Sequence, residues 1–249
     1  MVTRGCQRII ADSPFVFWWL IPLIQLLSNK FRKTLLGNFV TRFNLLFIYP
    51  ITCRSMVEEL QKLKQLVDTI HPLPQEDWEA FSSIWILQAA KRKESITVAG
   101  EKEGYLYFVV DGVQRVYYFD DQDREATLVF TYPPSFGGVL DSFMLQQSAR
   151  YYYETLTPSV LLKAPFQELQ RLQQSRPAIE AMIREGLSHN LSGLLERLVE
   201  LQCYTSEERF RKLLQRSPHI LQLVPHKYLA NYLGIDPTNF SKLLNKVRI

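Results

Sequence analysis

The last stretch of the chain has the pattern of two short helices joined by a tight turn. Gly234 stands where the first helix would end, because glycine takes the left-handed terminal conformation at little cost. Asp236 followed by Pro237 is typical of a helix start, since the carboxylate accepts hydrogen bonds from free amides and proline presets φ. The second helix then repeats apolar residues on one face, at Phe240, Leu243, Leu244 and Val247. Residues 226–245 therefore predict a helix-turn-helix.

The opposite face of the second helix is polar and carries no acid after Asp236. Such a face suits a polyanion, because acidic side chains would repel phosphates. Side chains of these types contact base edges or phosphates, so we predict a DNA-reading helix. The candidate DNA-binding residues are Lys227, Thr238, Asn239, Ser241, Lys242, Asn245 and Lys246. The alternative interpretation is an ordinary helical hairpin with a solvated outer face.

The net charge of +4 is unevenly distributed along the chain. Residues 1–55 hold seven basic residues and one acid, whereas the remainder holds 22 basic and 24 acidic residues. The body is therefore not globally basic, and attraction to nucleic acid must come from a local patch. The three cysteines, Cys6, Cys53 and Cys203, are far apart, which indicates a reducing compartment without a disulfide framework.

Residues 1–55 form an apolar and basic N-terminal extension. Its apolar stretches, 14–27 and 35–51, are interrupted by polar residues, glycine or proline, and neither reaches the ~20 apolar residues of a membrane-spanning helix. Three interpretations stay open: a membrane-surface anchor, an uncleaved export signal, or a segment outside the native protein, which would then start at Met56. We favour the third, and membrane association is then not expected.

Residues 84–163 alternate short apolar runs with turn residues, which predicts a β-barrel or roll. Asp111-Gly112, between two such runs, predicts a tight hairpin. Residues 120–123 predict the next turn. After Pro165 the pattern becomes helical, first over 166–174 and then over 177–203.

The helix predicted over 177–203 repeats apolar residues every three or four positions for more than three heptads. Such a length favours a paired helix, and we predict a homodimer. Asn190 beside the stripe would fix the register of pairing. The alternative is a helix that only covers its own β domain. The candidate dimerisation residues are Ile183, Leu187, Asn190, Leu191, Leu194, Leu198 and Leu201.

A roll, a long pairing helix and a C-terminal helix-turn-helix, in this order, resemble the Crp/Fnr superfamily of transcription regulators. The motifs are residues 106–118, which match the roll hairpin of the family, and Phe136-Gly-Gly-Val-Leu140 leading to Ser148-Ala-Arg-Tyr151. The resemblance covers residues 56–249. It implies an α+β fold with a cyclic nucleotide-binding-like β-roll over 56–176, a dimerisation helix over 177–203 and a helix-turn-helix domain over 204–249. Because the chain stops at Ile249, we expect no C-terminal wing.

The resemblance also implies a phosphate-binding cassette, which is degenerate here. Gly137 and Arg150 occupy the glycine and arginine positions, whereas Gly138 replaces the glutamate that accepts from the ribose hydroxyl in cyclic nucleotide binders. Leu194 and Leu195 stand where family members contact the base with hydroxyl groups. The candidate effector-binding residues are Phe136, Gly137, Gly138, Arg150 and Tyr151. High-affinity cyclic AMP binding is not expected, although a cyclic nucleotide or another small effector stays open.

The sequence does not favour a metal site or an enzyme. The cysteines do not cluster, and His71, His189, His219 and His226 lack ligand spacing. A cupin-like enzyme would need clustered histidines, and no histidine lies between Pro72 and Ser188. We therefore expect a cytoplasmic, effector-responsive transcription regulator whose partners are double-stranded DNA, a second copy of the chain and, as a further candidate, RNA polymerase. The alternative is a membrane-associated β-roll sensor acting through protein contacts.

Overall fold

The computed structural model describes residues 56–122 and 124–246. The predictions for residues 1–55, including Cys6 and Cys53, and the predicted core position Val247 lie outside the described residues. The described residues from 56 to 246 belong to one compact unit.

The unit begins with two helices and continues as an eight-stranded roll with one short inserted helix. The elements are α1 (56–70), α2 (Gln75–Ser83), β1 (Ile86–Ala90), β2 (Ser95–Thr97), β3 (Tyr105–Asp111), β4 (Gln114–Phe119), β5 (Glu125–Thr131), β6 (Ser135–Gly137), α3 (Leu140–Leu145), β7 (Tyr152–Thr155) and β8 (Ser159–Pro165). Helices follow to the end of the described chain: α4 (Phe166–Ser175), α5 (Pro177–Cys203), α6 (Ser206–Arg216), α7 (Ile220–Leu223), α8 (His226–Leu233) and α9 (Pro237–Lys246).

The strands form two antiparallel four-stranded sheets. One has the order β1-β8-β3-β6 and the other the order β2-β7-β4-β5. Tyr107, Val109 and Leu161 from the first sheet pack with Val116 and Tyr153 from the second in one buried cluster. Alternate side chains of a strand point to opposite faces, so the first sheet also presents apolar residues outward. Its outer face packs against α1, α2, α4 and the start of α5.

The hairpin predicted at Asp111-Gly112 is wrong. The two flanking strands belong to different sheets, since β3 pairs with β6 and β8 whereas β4 pairs with β5 and β7. Glycine is required at position 112, where the chain passes from one sheet to the other. Its φ is 88°, and a Cβ there would lie 2.4 Å from Ser159 Oγ. The next predicted turn is a genuine one, because the Asp120 carboxylate accepts from the amides of Gln122 and Arg124 between paired β4 and β5.

Helix α5 has the bounds predicted from the sequence, with Pro177 in its first turn. Its first half packs on the roll, where Ile179 and Met182 are fully buried. From residue 188 to 203 its side chains are exposed, apart from the buried Arg197 and Glu200. Among the described helices, none is both long and apolar enough to cross a membrane.

The C-terminal helices pack around Phe210, Leu213, Leu229, Leu233 and Phe240. Val113 and Leu156 of the roll belong to the same cluster, so these helices share a core with one end of the roll. Helix α6 begins with a capping box, in which Thr205 and Glu208 each bind the other's backbone amide. The break between α5 and α6 falls at residues 204–205, which is the boundary predicted between the long helix and the C-terminal unit.

Candidate functional site: an exposed helix and a cavity beside the roll

The turn between α8 and α9 has the local geometry predicted from the sequence. Gly234 ends α8 with a φ of 64°, in the left-handed region. The Gly234 amide donates to Asn231 O at 3.0 Å, and the Ile235 amide donates to Ala230 O at 3.0 Å. The second bond, spanning five residues, is the mark of a Schellman motif, which satisfies carbonyls at the helix end.

Helix α9 is capped by the Asp236 carboxylate. Its Oδ1 accepts from the Thr238 amide at 2.7 Å and from the Asn239 amide at 3.4 Å. These amide hydrogen bonds lower the pKa of Asp236 below its usual value, so the cap is ionised at neutral pH. Asp236 is thereby directed to the backbone of the helix.

The predicted DNA-binding residues lie exposed, with Phe240 buried on the opposite face of α9. Several of them have partners within the chain, and the Lys227 ammonium lies 4.5 Å from the Tyr228 ring centroid. Ser241 donates to Pro237 O at 3.0 Å, and the Lys246 ammonium lies 2.6 Å from the carboxylate of Glu207 on α6. The sequence did not reveal Glu207 as a neighbour, because residues 207 and 246 meet only through the packing of α6 on α9. Glu207 adds an acid beside a face that is acid-free in sequence.

A cavity of about 480 Å³ lies between the roll and the second half of α5. All five residues predicted to bind an effector line it: Phe136, Gly137, Gly138, Arg150 and Tyr151. Leu194, Leu198 and Leu201 line it from α5, and Tyr232 from α8. The volume is within the range of ~300–1,000 Å³ typical of small-molecule sites.

The guanidinium of Arg150 is accessible from this cavity. Its side chain is 74% exposed, and Nη2 lies 3.9 Å from the Asp141 carboxylate, at the outer limit of an ion pair. The same guanidinium lies 5.4 Å from the centroid of the Tyr151 ring. An anion entering the cavity could therefore bind Arg150 without breaking a close ion pair.

Gly138 cannot be replaced by glutamate without moving its surroundings. Its φ is 111°, and an added Cβ would lie 3.1 Å from Cδ2 of Tyr107. Tyr107 is itself buried between the sheets, where it packs on Tyr153 with ring centroids 5.7 Å apart. The tyrosine pair thus occupies the space beside the position where an acceptor for a ribose hydroxyl would stand.

The predicted dimerisation residues fall into two groups in the structure. Leu191, Leu194, Leu198 and Leu201 are 59%, 48%, 50% and 42% exposed, which is unusual for leucines on one helix. Ile183, Leu187 and Asn190 line a second cavity against the roll. Leu195, which was aligned with a base-contacting position, lies outside the first cavity, whereas Leu194 lines it.

Arg197 is a residue of the cavity that the sequence analysis missed. It is 8% exposed, lies with its guanidinium 4.0 Å from the Tyr232 ring centroid, and donates to the Tyr232 carbonyl. It also donates to Glu200 at 3.3 Å. In the sequence, the signal for Arg197 was its charge, because it stands between the apolar positions Leu194 and Leu198. Its partner on α8 is visible only in the fold. Arg197 therefore joins the cavity to the C-terminal helices.

The side chain of Asn231 attaches α8 to the open edge of β5. Its Nδ2 donates to Glu125 O at 2.6 Å, and its Oδ1 accepts from the Thr127 amide at 2.5 Å. The pair of bonds satisfies an edge strand in the way that a neighbouring strand would. This role could not be predicted from the sequence, because Asn231 and its partners are more than 100 positions apart.

Arg115 connects the same strands to α8 through charge. It is 3% exposed and forms ion pairs with Glu154 at 2.6 Å and Glu125 at 2.5 Å, and its guanidinium lies 4.0 Å from the Tyr228 ring centroid. The hydrogen bond from Arg115 lowers the pKa of Glu125 below its usual value. The roll and the first helix of the predicted helix-turn-helix are therefore in direct, specific contact.

The described residues contain no group of three or more histidine, cysteine or acidic side chains placed to hold a metal ion. Cys203, the cysteine among them, is exposed and free.

Two antiparallel sheets with a short helix after β6, followed by one long helix, define the class of cyclic nucleotide-binding domains. Residues 87–176 match the family model described as "Cyclic nucleotide-binding domain". A global nitrogen regulator of Synechocystis sp. is 24% identical over 175 residues, which cover 66% of this chain and 78% of that protein.

Solved structures show the same architecture. FixK2 from Bradyrhizobium japonicum has a TM-score of 0.60 at 17% identity, with 66% of this chain and 84% of FixK2 covered. A Crp/Fnr-family transcriptional regulator from Eubacterium rectale has a TM-score of 0.56 at 17% identity, with 70% and 83% covered. The predicted resemblance is confirmed: residues 87–176 match the cyclic nucleotide-binding domain model, and the chain shares the fold of FixK2 and of the Crp/Fnr-family regulator.

Proposed function

We propose that the protein is a Crp/Fnr-type DNA-binding transcription regulator whose roll binds a small effector and repositions paired helix-turn-helix units. The observation that carries this proposal is the capped helix α9, which exposes a polar face without acids of its own after Asp236. The fold of the relatives supports it, because FixK2 and the Crp/Fnr-family regulator match 66% and 70% of this chain with TM-scores of 0.60 and 0.56. The assigned segments are the roll at 56–176, the pairing helix at 177–203 and the DNA-binding unit at 204–249.

On DNA, α9 would lie in the major groove. Asn239 or Asn245 suits an adenine edge and Lys242 a guanine edge, while Thr238 and Ser241 contact either bases or phosphates. Lys227, exposed at the start of α8, is assigned to a phosphate. Lys246 is also assigned to a phosphate, and DNA must then compete with Glu207 for its ammonium.

The exposed leucines of α5 are the proposed surface for a second copy of the chain. Fully burying a leucine side chain stabilises a complex by ~1.5–3 kcal/mol. In a two-fold symmetric dimer each of these exposed leucines would be buried in both copies. Pairing along α5 would place two copies of α9 at one DNA site, so that both half-sites are contacted together. RNA polymerase is a further proposed partner, and the cytoplasm is the proposed location.

The proposed effector site is the cavity at Arg150. A cyclic nucleotide is one candidate because of the domain family. Tight binding of cyclic AMP is disfavoured, since Gly138 offers no acceptor to a ribose hydroxyl and Leu194 offers no hydroxyl to a base. Each lost hydrogen bond of this kind costs ~1–3 kcal/mol.

The proposal is tested by selecting bound DNA from a random pool with the full chain, with and without candidate nucleotides. Lys242→Ala should lower the affinity for the enriched sequence about tenfold to hundredfold and relax specificity at one base pair. Lys62→Ala on α1 is the matched control, because Lys62 is half exposed and pairs with Glu59. Failure to enrich any sequence under all conditions, or an unchanged affinity of Lys242→Ala, would overturn the assignment.

A further inference from the structure

A second cavity of about 400 Å³ adjoins the proposed effector site. The two share three lining residues, Phe136, Leu140 and Asn190, so they are neighbours along α5 with these side chains at their common boundary. Nothing in the cyclic nucleotide interpretation uses this second cavity. A ligand at Arg150 could therefore extend beyond the phosphate cassette.

The second cavity is apolar. It lies between α1, α3, α4 and the first half of α5, and its lining includes Leu66, Ile70, Phe143, Met144, Leu169 and Met182. Among the described residues that line it there is no aspartate, glutamate, lysine or arginine, and His189 is exposed at its margin. Such a lining favours hydrocarbon, at ~0.8 kcal/mol for each buried methylene, which is about fourfold in affinity.

The first cavity supplies positive charge. The guanidinium of Arg150 is exposed and only loosely paired with Asp141, whereas that of Arg197, which also lines the cavity, already binds Glu200 and the Tyr232 carbonyl. Of the two neighbouring cavities, the first thus contains the exposed guanidinium of Arg150 and the second has an apolar lining. Gly138 and Leu194 disfavour a nucleotide because they offer it no hydrogen-bonding side chain. For the same reason they add no polar side chain to the wall of the first cavity.

We propose that the effector is an amphipathic carboxylate, a fatty acyl anion whose head binds Arg150 and whose chain occupies the second cavity. The inference rests on the proposed function only in taking this cavity as the effector site. Binding of the acid requires no DNA. Acid binding can therefore fail while DNA recognition holds, and DNA recognition can fail while acid binding holds.

The experiment measures binding of hexanoate, decanoate and tetradecanoate to the full chain by titration calorimetry, below their micelle concentrations and without DNA. Affinity should rise with chain length, with one ligand bound per chain. Arg150→Gln should weaken all three about tenfold, and Arg150→Lys should restore most of the loss, because the head needs a positive charge.

Gly186→Leu tests the position of the chain. Gly186 lines the second cavity, and an added Cβ would lie 3.9 Å from Ile70 Cγ2, an ordinary contact, so a larger side chain fills the cavity. Tetradecanoate should then bind about tenfold more weakly, while hexanoate keeps its affinity. Gly193→Leu is the matched control on the same helix, since Gly193 lines neither cavity and an added Cβ meets nothing within 4 Å.

Three outcomes would overturn the proposal. The first is no measurable binding of any of the three acids. The second is equal binding of decyltrimethylammonium, a cation of similar chain, which would indicate non-specific adsorption. The third is a loss of tetradecanoate binding in Gly193→Leu as large as that in Gly186→Leu. Displacement of decanoate by cyclic AMP would support the proposal, because it places the acid at the phosphate cassette.

Discussion

The two halves of α5 have similar apolar sequences but opposite surroundings. In the first half, Ile179 and Met182 are fully buried against the roll. In the second half, Leu191, Leu195 and Leu198 are at least half exposed, and the buried residues are Arg197 and Glu200. An apolar stripe therefore does not tell which partner covers it. The first half stabilises the fold of its own chain, and the second half is left for another surface.

The largest effect is expected from truncating a buried side chain in the first half of α5, which tests this comparison directly. Met182→Ala should lower the free energy of unfolding by about 2–5 kcal/mol, because it leaves a void in a packed cluster. Denaturant titration of the full chain measures it. Val57→Ala, at a position 56% exposed on α1, is the control and should change stability little. Equal effects of the two substitutions would show that the first half is not packed as described.

The second prediction concerns the buried charges of the second half. Glu200 accepts from Arg216 at 2.8 and 3.1 Å and from Arg197 at 3.3 Å. Glu200→Gln should cost about 2 kcal/mol of unfolding free energy, because Arg197 loses the charge that compensates its burial. The neighbouring exposed Glu196→Gln serves as the control. A stability loss confined to Glu196→Gln would contradict the arrangement.

The third prediction separates self-association from stability. Leu198→Ala should change the unfolding free energy of the isolated chain by less than ~0.5 kcal/mol, since the side chain is 50% exposed. It should weaken self-association by roughly tenfold or more, as measured by sedimentation equilibrium. Leu195→Ala, at 55% exposure, is matched in chemistry but lies outside the predicted stripe. Weakening by Leu195→Ala alone would place the pairing surface on the other side of α5.

The smallest expected effect is a pH dependence at the contact between the roll and α8. Arg115 lowers the pKa of Glu125, so the charged carboxylate favours the folded state. Its contribution is present above the unfolded pKa of about 4.3 and is lost as pH falls through the folded pKa. Glu125→Gln should therefore cost less than ~1 kcal/mol at neutral pH, because the carboxylate is partly exposed, and progressively less as the pH falls through the folded pKa. If the stability cost of Glu125→Gln increases as the pH falls, the assigned direction of the pKa shift of Glu125 is wrong.

Much of the C-terminal unit could be predicted from the sequence because its signals are local. Gly234 and Asp236 act on amides and carbonyls within five residues of themselves, and the structure places both as predicted. Pro177 and Thr205 likewise mark the starts of α5 and α6. The five cassette residues were found through the resemblance, and they do line one cavity.

The crossing at Asp111-Gly112 shows where local signals fail. Residues Asp and Gly favour a turn, but they do not decide whether the following strand pairs with the preceding one. Here β8 and β6 occupy both edges of β3, so β4 joins the other sheet. Strand pairing is a competition among all the strands, and a dipeptide carries no information about its competitors.

By itself, the sequence determined the ends of its helices and the succession of roll, long helix and terminal helix pair, whereas the cassette residues were proposed through the resemblance. The helix ends and this succession depend on capping, periodicity and turn chemistry, which act between near neighbours along the chain. Only the tertiary structure decided that Arg197 binds the Tyr232 carbonyl, that Asn231 satisfies the edge of β5, that Glu207 pairs with Lys246, and that two cavities lie side by side along α5. Each of these contacts joins different elements of the fold, and their geometry exists only once those elements have packed.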